Sequence, residues 1–124
     1  MILLVTGSRF WKDRKKIGAE IYRRRKKVTL LIQGGARGAD LIADDYAKLL
    51  GIQTAMFDAN WTYHKRAAGP IRNANQLAFG MAAARALKQQ LLVLAFHKNI
   101  RKSKGTADMV SKARKQKVKV KIIR

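Results

Sequence analysis

The chain has 124 residues, 48% of them hydrophobic, with no cysteine and a formal net charge of +21. That is the length of one domain with enough apolar side chain for a packed core, so a globular fold over residues 1–124 is expected rather than disorder. The missing cysteines exclude a disulfide framework, a thiolate metal site and a cysteine nucleophile, and the charge favours polyanions such as DNA, RNA and nucleotides.

The first apolar run, residues 2–5, is too short for a signal sequence or a membrane span, so a soluble, cytoplasmic protein is expected. It does not alternate, as a strand buried on both faces should not. Thr6-Gly7-Ser8-Arg9 follows, where Gly7 permits a tight turn and Ser8 and Arg9 offer a hydroxyl and a fork of donors to phosphate. A helix is expected over 12–26, closing in the basic run Arg23-Arg24-Arg25-Lys26-Lys27.

The second strand, 28–32, leads into Gly34-Gly35-Ala36-Arg37-Gly38-Ala39-Asp40 and a helix over 36–50. Leu41, Ile42, Tyr46 and Leu49 share one face of that helix, and Gly51 is placed to stop it. The glycines let a backbone approach a ligand and Arg37 can neutralise its charge. Asp40 can accept from a ribose hydroxyl, although a structural cap is the favoured role for it. The spacing is not G-x-G-x-x-G, so it carries no dinucleotide fingerprint.

After a third strand at 53–57 come Trp61, Tyr63, His64, Lys65 and Arg66, then a helix over 70–88 with Pro70 in its first turn. Tyr63 is a candidate for base stacking, Trp61 is expected to plug the core, and Arg72 and Asn73 are candidates to face the ligand. The strand at 91–96 again lacks alternation and ends at His97. Ser103-Lys104-Gly105-Thr106 then opens a helix over 106–115, with Thr106 near its N-cap and Asp108 in its first turn. This is not a Walker loop, because lysine precedes Gly105 and no earlier glycine is present. The last strand, 118–123, alternates Val118-Lys119-Val120-Lys121-Ile122, which suits a sheet edge.

Strand–helix alternation of this kind implies an α/β domain with a parallel sheet covered on both faces, in order 3-2-1-4-5. The chain reverses between strands one and four, and ligands of open α/β sheets bind beyond the carboxyl ends of the strands there. Residues 6–10, 33–40 and 97–105 meet that position, so Gly7, Ser8, Arg9, Gly34, Gly35, Arg37, Gly38, Asp40, Arg72, Asn73, His97, Ser103, Lys104, Gly105 and Thr106 are the candidate ligand-binding residues. Two histidines without partnered carboxylates make no metal site. The basic first and fourth helices are expected on opposite faces, which would wrap the charge around the domain rather than gather it in one stripe.

Four pieces of this chain together resemble the SLOG superfamily of Rossmann-like nucleotide-binding proteins, in its small YspA/YpsA-related branch. They are Val5-Thr6-Gly7-Ser8-Arg9, Gly34-Gly35-Ala36-Arg37-Gly38-Ala39-Asp40, Ala68-Gly69-Pro70-Ile71-Arg72-Asn73 and Ser103-Lys104-Gly105-Thr106-Ala107-Asp108-Met109. The resemblance implies a Rossmann-like fold, a site for a nucleotide or nucleotide-derived ligand, and a bacterial or phage origin. It also raises the prospect of a homodimer. LOG-type phosphoribohydrolases of the superfamily carry P-G-G-x-G-T-x-x-E and use its glutamate in catalysis. Met109 stands at that position here, and a thioether moves no proton.

Three functions follow from the residues and the resemblance. The first is binding of a nucleoside monophosphate, an ADP-ribose-like compound or a signalling nucleotide. The second is hydrolysis with Asp40 and Asp108 as the available carboxylates. The third is nonspecific DNA or RNA binding through the basic runs, a reading to which the superfamily's DNA-processing protein A, a single-stranded DNA binder, adds interest.

Overall fold

A computed structural model describes the whole chain, Met1–Arg124. The sheet is built from β1 (Ile2–Gly7), β2 (Leu30–Gln33), β3 (Gln53–Met56), β4 (Leu91–Phe96) and β5 (Lys119–Ile123). All neighbours are parallel, in the order β3-β2-β1-β4-β5. The two unalternating runs are the central pair, matched along their whole length from Ile2 opposite Leu91 to Gly7 opposite Phe96. Residues of β1 and β4 bury both faces because each face meets its own helix layer, as continuous apolar runs require. Ile2 to Val5 and Val93 to Phe96 have no exposed surface, and each such aliphatic side chain contributes about 1.5–3 kcal/mol.

Four helices cover the sheet, α1 (Arg14–Arg24), α2 (Ala39–Leu49), α4 (Ala68–Leu87) and α5 (Gly105–Lys115), and the single turn α3 (Trp61–His64) packs on α4. One core joins Ile17 and Ile21 of α1 and Ile42, Ala43 and Ala47 of α2 to Leu3, Val5, Leu92 and Leu94. The other joins Leu77 of α4 and Met109 and Ala113 of α5 to Ile2, Leu4 and Val93. The result is the expected three-layer, Rossmann-like sandwich with α1 and α5 on opposite faces.

Several boundaries differ from the expected ones, and two of the shifts have local reasons. Helix α2 begins three residues late, because Gly38 adopts φ +81° at its N-cap and the preceding residues form a loop. Helix α4 begins two residues early, which leaves Pro70 third in the helix, where its absent N–H costs nothing.

The expected dispersal of charge holds for the two faces of the sheet but not at the edge they share. Although α1 and α5 lie on different faces, both border β5: Lys16 Nζ of α1 donates to the Arg124 carbonyl (2.7 Å), and Lys121 Nζ of β5 reaches Glu20 of α1 (2.7 Å). Helix α5 packs on the other face of β4 and β5. Opposite faces of one sheet share its edge, so the two basic helices converge there.

Candidate nucleotide site

Three loops meet at the carboxyl end of the sheet, and the first two are welded by backbone contact. The Ser8 amide donates to the Phe96 carbonyl (2.9 Å), while the Ser8 carbonyl accepts from the amides of Ala39 (3.1 Å) and Trp11 (3.2 Å). The Ser8 hydroxyl accepts from the Phe10 amide (3.0 Å), closing the turn after β1. These approaches need glycine. A Cβ on Gly7 would lie 2.5 Å from the Phe96 carbonyl oxygen, and one on Gly38 would lie 2.5 Å from that of Ser8.

Asp40, in the first turn of α2, is buried and turns its side chain back onto the preceding loop. Its Oδ2 accepts from the amides of Gly34 (3.1 Å) and Ala36 (3.3 Å), and the Gly35 amide donates to Gln33 Oε1. The expected helix cap is not formed, since the N-cap of α2 is Gly38, with no side-chain cap; Asp40 instead organises the loop ahead of its own helix. Its Oδ1 is sealed from solvent without a hydrogen-bond partner. Burial raises its pKa to about 6, against the opposing charge of Arg72 and the two amide donors.

Consecutive residues at the start of α4 tie this loop to the third. Arg72 Nη1 donates to the Gly34 carbonyl (2.7 Å) and its Nε to Asn73 Oδ1 (3.0 Å). Asn73 Nδ2 donates to the Gly105 carbonyl (3.1 Å) and to Asp108 Oδ2 (3.0 Å), and Asp108 Oδ1 accepts from Lys112 Nζ. The chain Gly34–Arg72–Asn73–Asp108–Lys112 thus spans from the β2 loop to α5. Asp108 points at α4 and not at His97, whose Nδ1 accepts from the Asn99 amide (3.0 Å).

At the start of α5, the Ser103 hydroxyl accepts from the Thr106 amide (2.9 Å), so Ser103 supplies the capping oxygen expected of Thr106, which is itself buried. Met109 is fully buried in the core. The amides of Gly34, Gly35 and Ala36 are occupied by side chains, whereas those of Arg37, Gly38, Lys104, Gly105 and Ala107 have no partner within the chain. The side chains of Arg9, Arg37 and Lys104 are exposed at the same end of the sheet.

A cavity of about 650 Å³ opens beside the β1–β4 reversal, lined by Ser8, Phe10, Trp11 and His97, by Lys12, Lys16 and Lys98, and by the Asp13 carboxylate, which caps α1. Sequence reasoning found Ser8 and His97 but missed the aromatic pair and the lysines. The signal was present, since the residues after a β1 turn enter the first turn of α1 beside the reversal. Lys112 was equally legible, four residues beyond Asp108 on one helix face. Trp61 is no core plug: it is 60% exposed, because α3 is a single turn capped by Asn60 and the indole lies over Gly69, which has no side chain to enclose it. Tyr63 is exposed as well.

Residues 1–64, the half of the chain that holds the β1 and β2 loops, match the model of the YAcAr family, described as the YspA, cpYpsA-related SLOG family. The chain belongs to this family. A relative is the Gene 61 protein of Mycobacterium phage D29, 35% identical over 86 residues that cover 63% of this SLOG chain and 69% of that protein. The fold is similar to that in the X-ray structure of DNA processing protein A (DprA) from Streptococcus pneumoniae, with a TM-score of 0.53 at 16% identity. That match covers 96% of this chain but 57% of DprA, so the SLOG chain spans little more than half of its structural neighbour.

Proposed function

We propose that the carboxyl end of the sheet binds a nucleotide or nucleotide-derived small molecule. The observation that carries the reading is the 650 Å³ cavity at the β1–β4 reversal, with three lysines against one carboxylate, Asp13, whose Oδ1 is taken by the Lys16 amide, and a serine hydroxyl and two aromatic side chains beside them. Its size suits a small ligand, and its lining pairs cations for phosphate with the exposed Phe10 ring for a base, while the buried Trp11 forms the floor. The free amides at the start of α5 and at Arg37–Gly38 add donors of the kind that hold oxyanions. In this reading Arg9, Arg37 and Lys104 meet phosphate, while Asp40, Arg72 and Asn73 position the loops. Gly34 serves by letting Arg72 close on the backbone, and Gly35, at φ +77°, by leaving room for Asp58 and Met56.

Binding without turnover is the reading the geometry favours. Asp40 is sealed from solvent and Asp108 is tied to Asn73 and Lys112, so neither carboxylate is free to move a proton on a ligand. The test is calorimetric titration with AMP, ADP-ribose and cyclic dinucleotides, followed by chromatography for released base. One of these ligands should bind and remain intact, and Arg37→Ala should weaken it at least fivefold while the melting temperature moves by less than about 2 °C, as an exposed side chain without partners allows. No binding by any ligand, or an unchanged dissociation constant in Arg37→Ala, would overturn the site as drawn.

A further inference from the structure

We infer that the β5 side of the molecule, formed by β5, the C-terminal half of α1 and the last turns of α5, binds the phosphodiester backbone of a nucleic acid. This face is separate from the nucleotide cavity and does not depend on it.

Charge segregation carries the inference. Residues 20–27 and 112–124 hold twelve of the twenty-eight Lys and Arg with one acid, Glu20, whereas the rest of the chain holds sixteen cations and six acids. The fold brings both segments to one edge. Arg24, Lys119 and Lys121 line a cleft on one side of β5, and Arg114, Lys117 and Lys119 line another between α4, α5 and β5. Lys119 belongs to both, so the two basic clefts meet at the strand. The strand's pleat sends Lys119 and Lys121 outward together.

Guarding a sheet edge against aggregation explains lysines on β5 itself, but not the runs on two flanking helices. Neutralisation absorbs little of the charge. Glu20 is met by Arg23, Arg24 and Lys121, which leaves Arg25, Lys26, Lys27, Arg114, Lys117 and Lys119 without an acidic partner. Chemistry also separates nucleic acid from a lipid surface. The large exposed apolar side chains, Phe10, Leu41, Leu49, Met56, Trp61, Phe79 and Leu87, lie on the turn after β1 and on α2, β3, α3 and α4. The one exposed ring on α1, Tyr22, is covered by the Arg25 guanidinium at 3.8 Å. A face of cations with nothing apolar to insert suits a polyphosphate backbone and not a bilayer.

The test compares two triple variants of equal charge. Arg114→Gln/Lys117→Gln/Lys119→Gln removes three cations from the β5 side, and Lys48→Gln/Arg66→Gln/Lys88→Gln removes three from elsewhere; all six are exposed. Binding of labelled single-stranded DNA, duplex DNA and single-stranded RNA is followed by fluorescence anisotropy between 50 and 300 mM salt, with phosphatidylserine vesicles in parallel. The β5 set should weaken nucleic-acid binding at least tenfold near 0.1 M salt and flatten the log–log salt slope by about two to three, as loss of three phosphate contacts requires. The other set should change affinity by less than twofold. Equal losses from both sets, absence of nucleic-acid binding at the lowest salt, or vesicle binding in its place would each overturn the inference. AMP and ADP-ribose titrations of the same variants separate this face from the cavity, which neither triple touches.

Discussion

Asp40 is the residue where burial and chemistry conflict most. Its pKa of about 6 lies above the ordinary 3.8, because burial outweighs the Arg72 charge and two amide donors. Between those values the native state keeps a proton that the unfolded chain has released, so stability falls as pH rises through the window. The cost levels off above pH 6 at about 3 kcal/mol, roughly two units at 1.36 kcal/mol each. Asp40→Asn retains an oxygen for Gly34 and Ala36 but cannot titrate. Urea unfolding at pH 4 and pH 7.5 should show the wild type losing about 2–3 kcal/mol more than the variant over that range. Parallel pH profiles would remove Asp40 as the source. That Asp40 stabilises local structure was readable from its place at a helix start, whereas its isolation from solvent was not, since that depends on Arg72 arriving from thirty-two residues away.

At the scale of elements, α4 is the clamp. Its second turn carries adjacent side chains that reach in opposite directions, Arg72 to the β2 loop and Asn73 to the start of α5. Asn73→Ala would leave Asp108 without a donor on that side and the Gly105 carbonyl without its bond, costing about 1–2 kcal/mol. The loosening should be local: amide hydrogen exchange should accelerate over residues 104–108 and stay unchanged in α1. Uniform acceleration across both would mean that Asn73 contributes only to global stability. The strands and four long helices were legible because each has its own periodicity and boundary residues. Helix α3 was not, because one turn has no periodicity, and its partner surface on α4 is seen only once the two are packed.

For the whole molecule the governing quantity is +21 on 124 residues. Compacting like charge raises self-repulsion in the native state more than in the expanded chain. Raising NaCl from 20 to 300 mM shortens the screening length from roughly 20 to 6 Å, so the melting temperature should climb by several degrees. A flat or falling melting temperature would show that the basic face is already neutralised within the fold. The sequence by itself determined the sheet order, the central pairing of β1 with β4, the glycine turns and the amount of charge, because these follow from hydrophobic period, chain chirality and composition. Tertiary structure alone decided where the charge collects, which amides remain free, and that Asp40 faces inward while Trp61 faces out. Those outcomes rest on which distant segments a fold brings together, and no local pattern carries that distance.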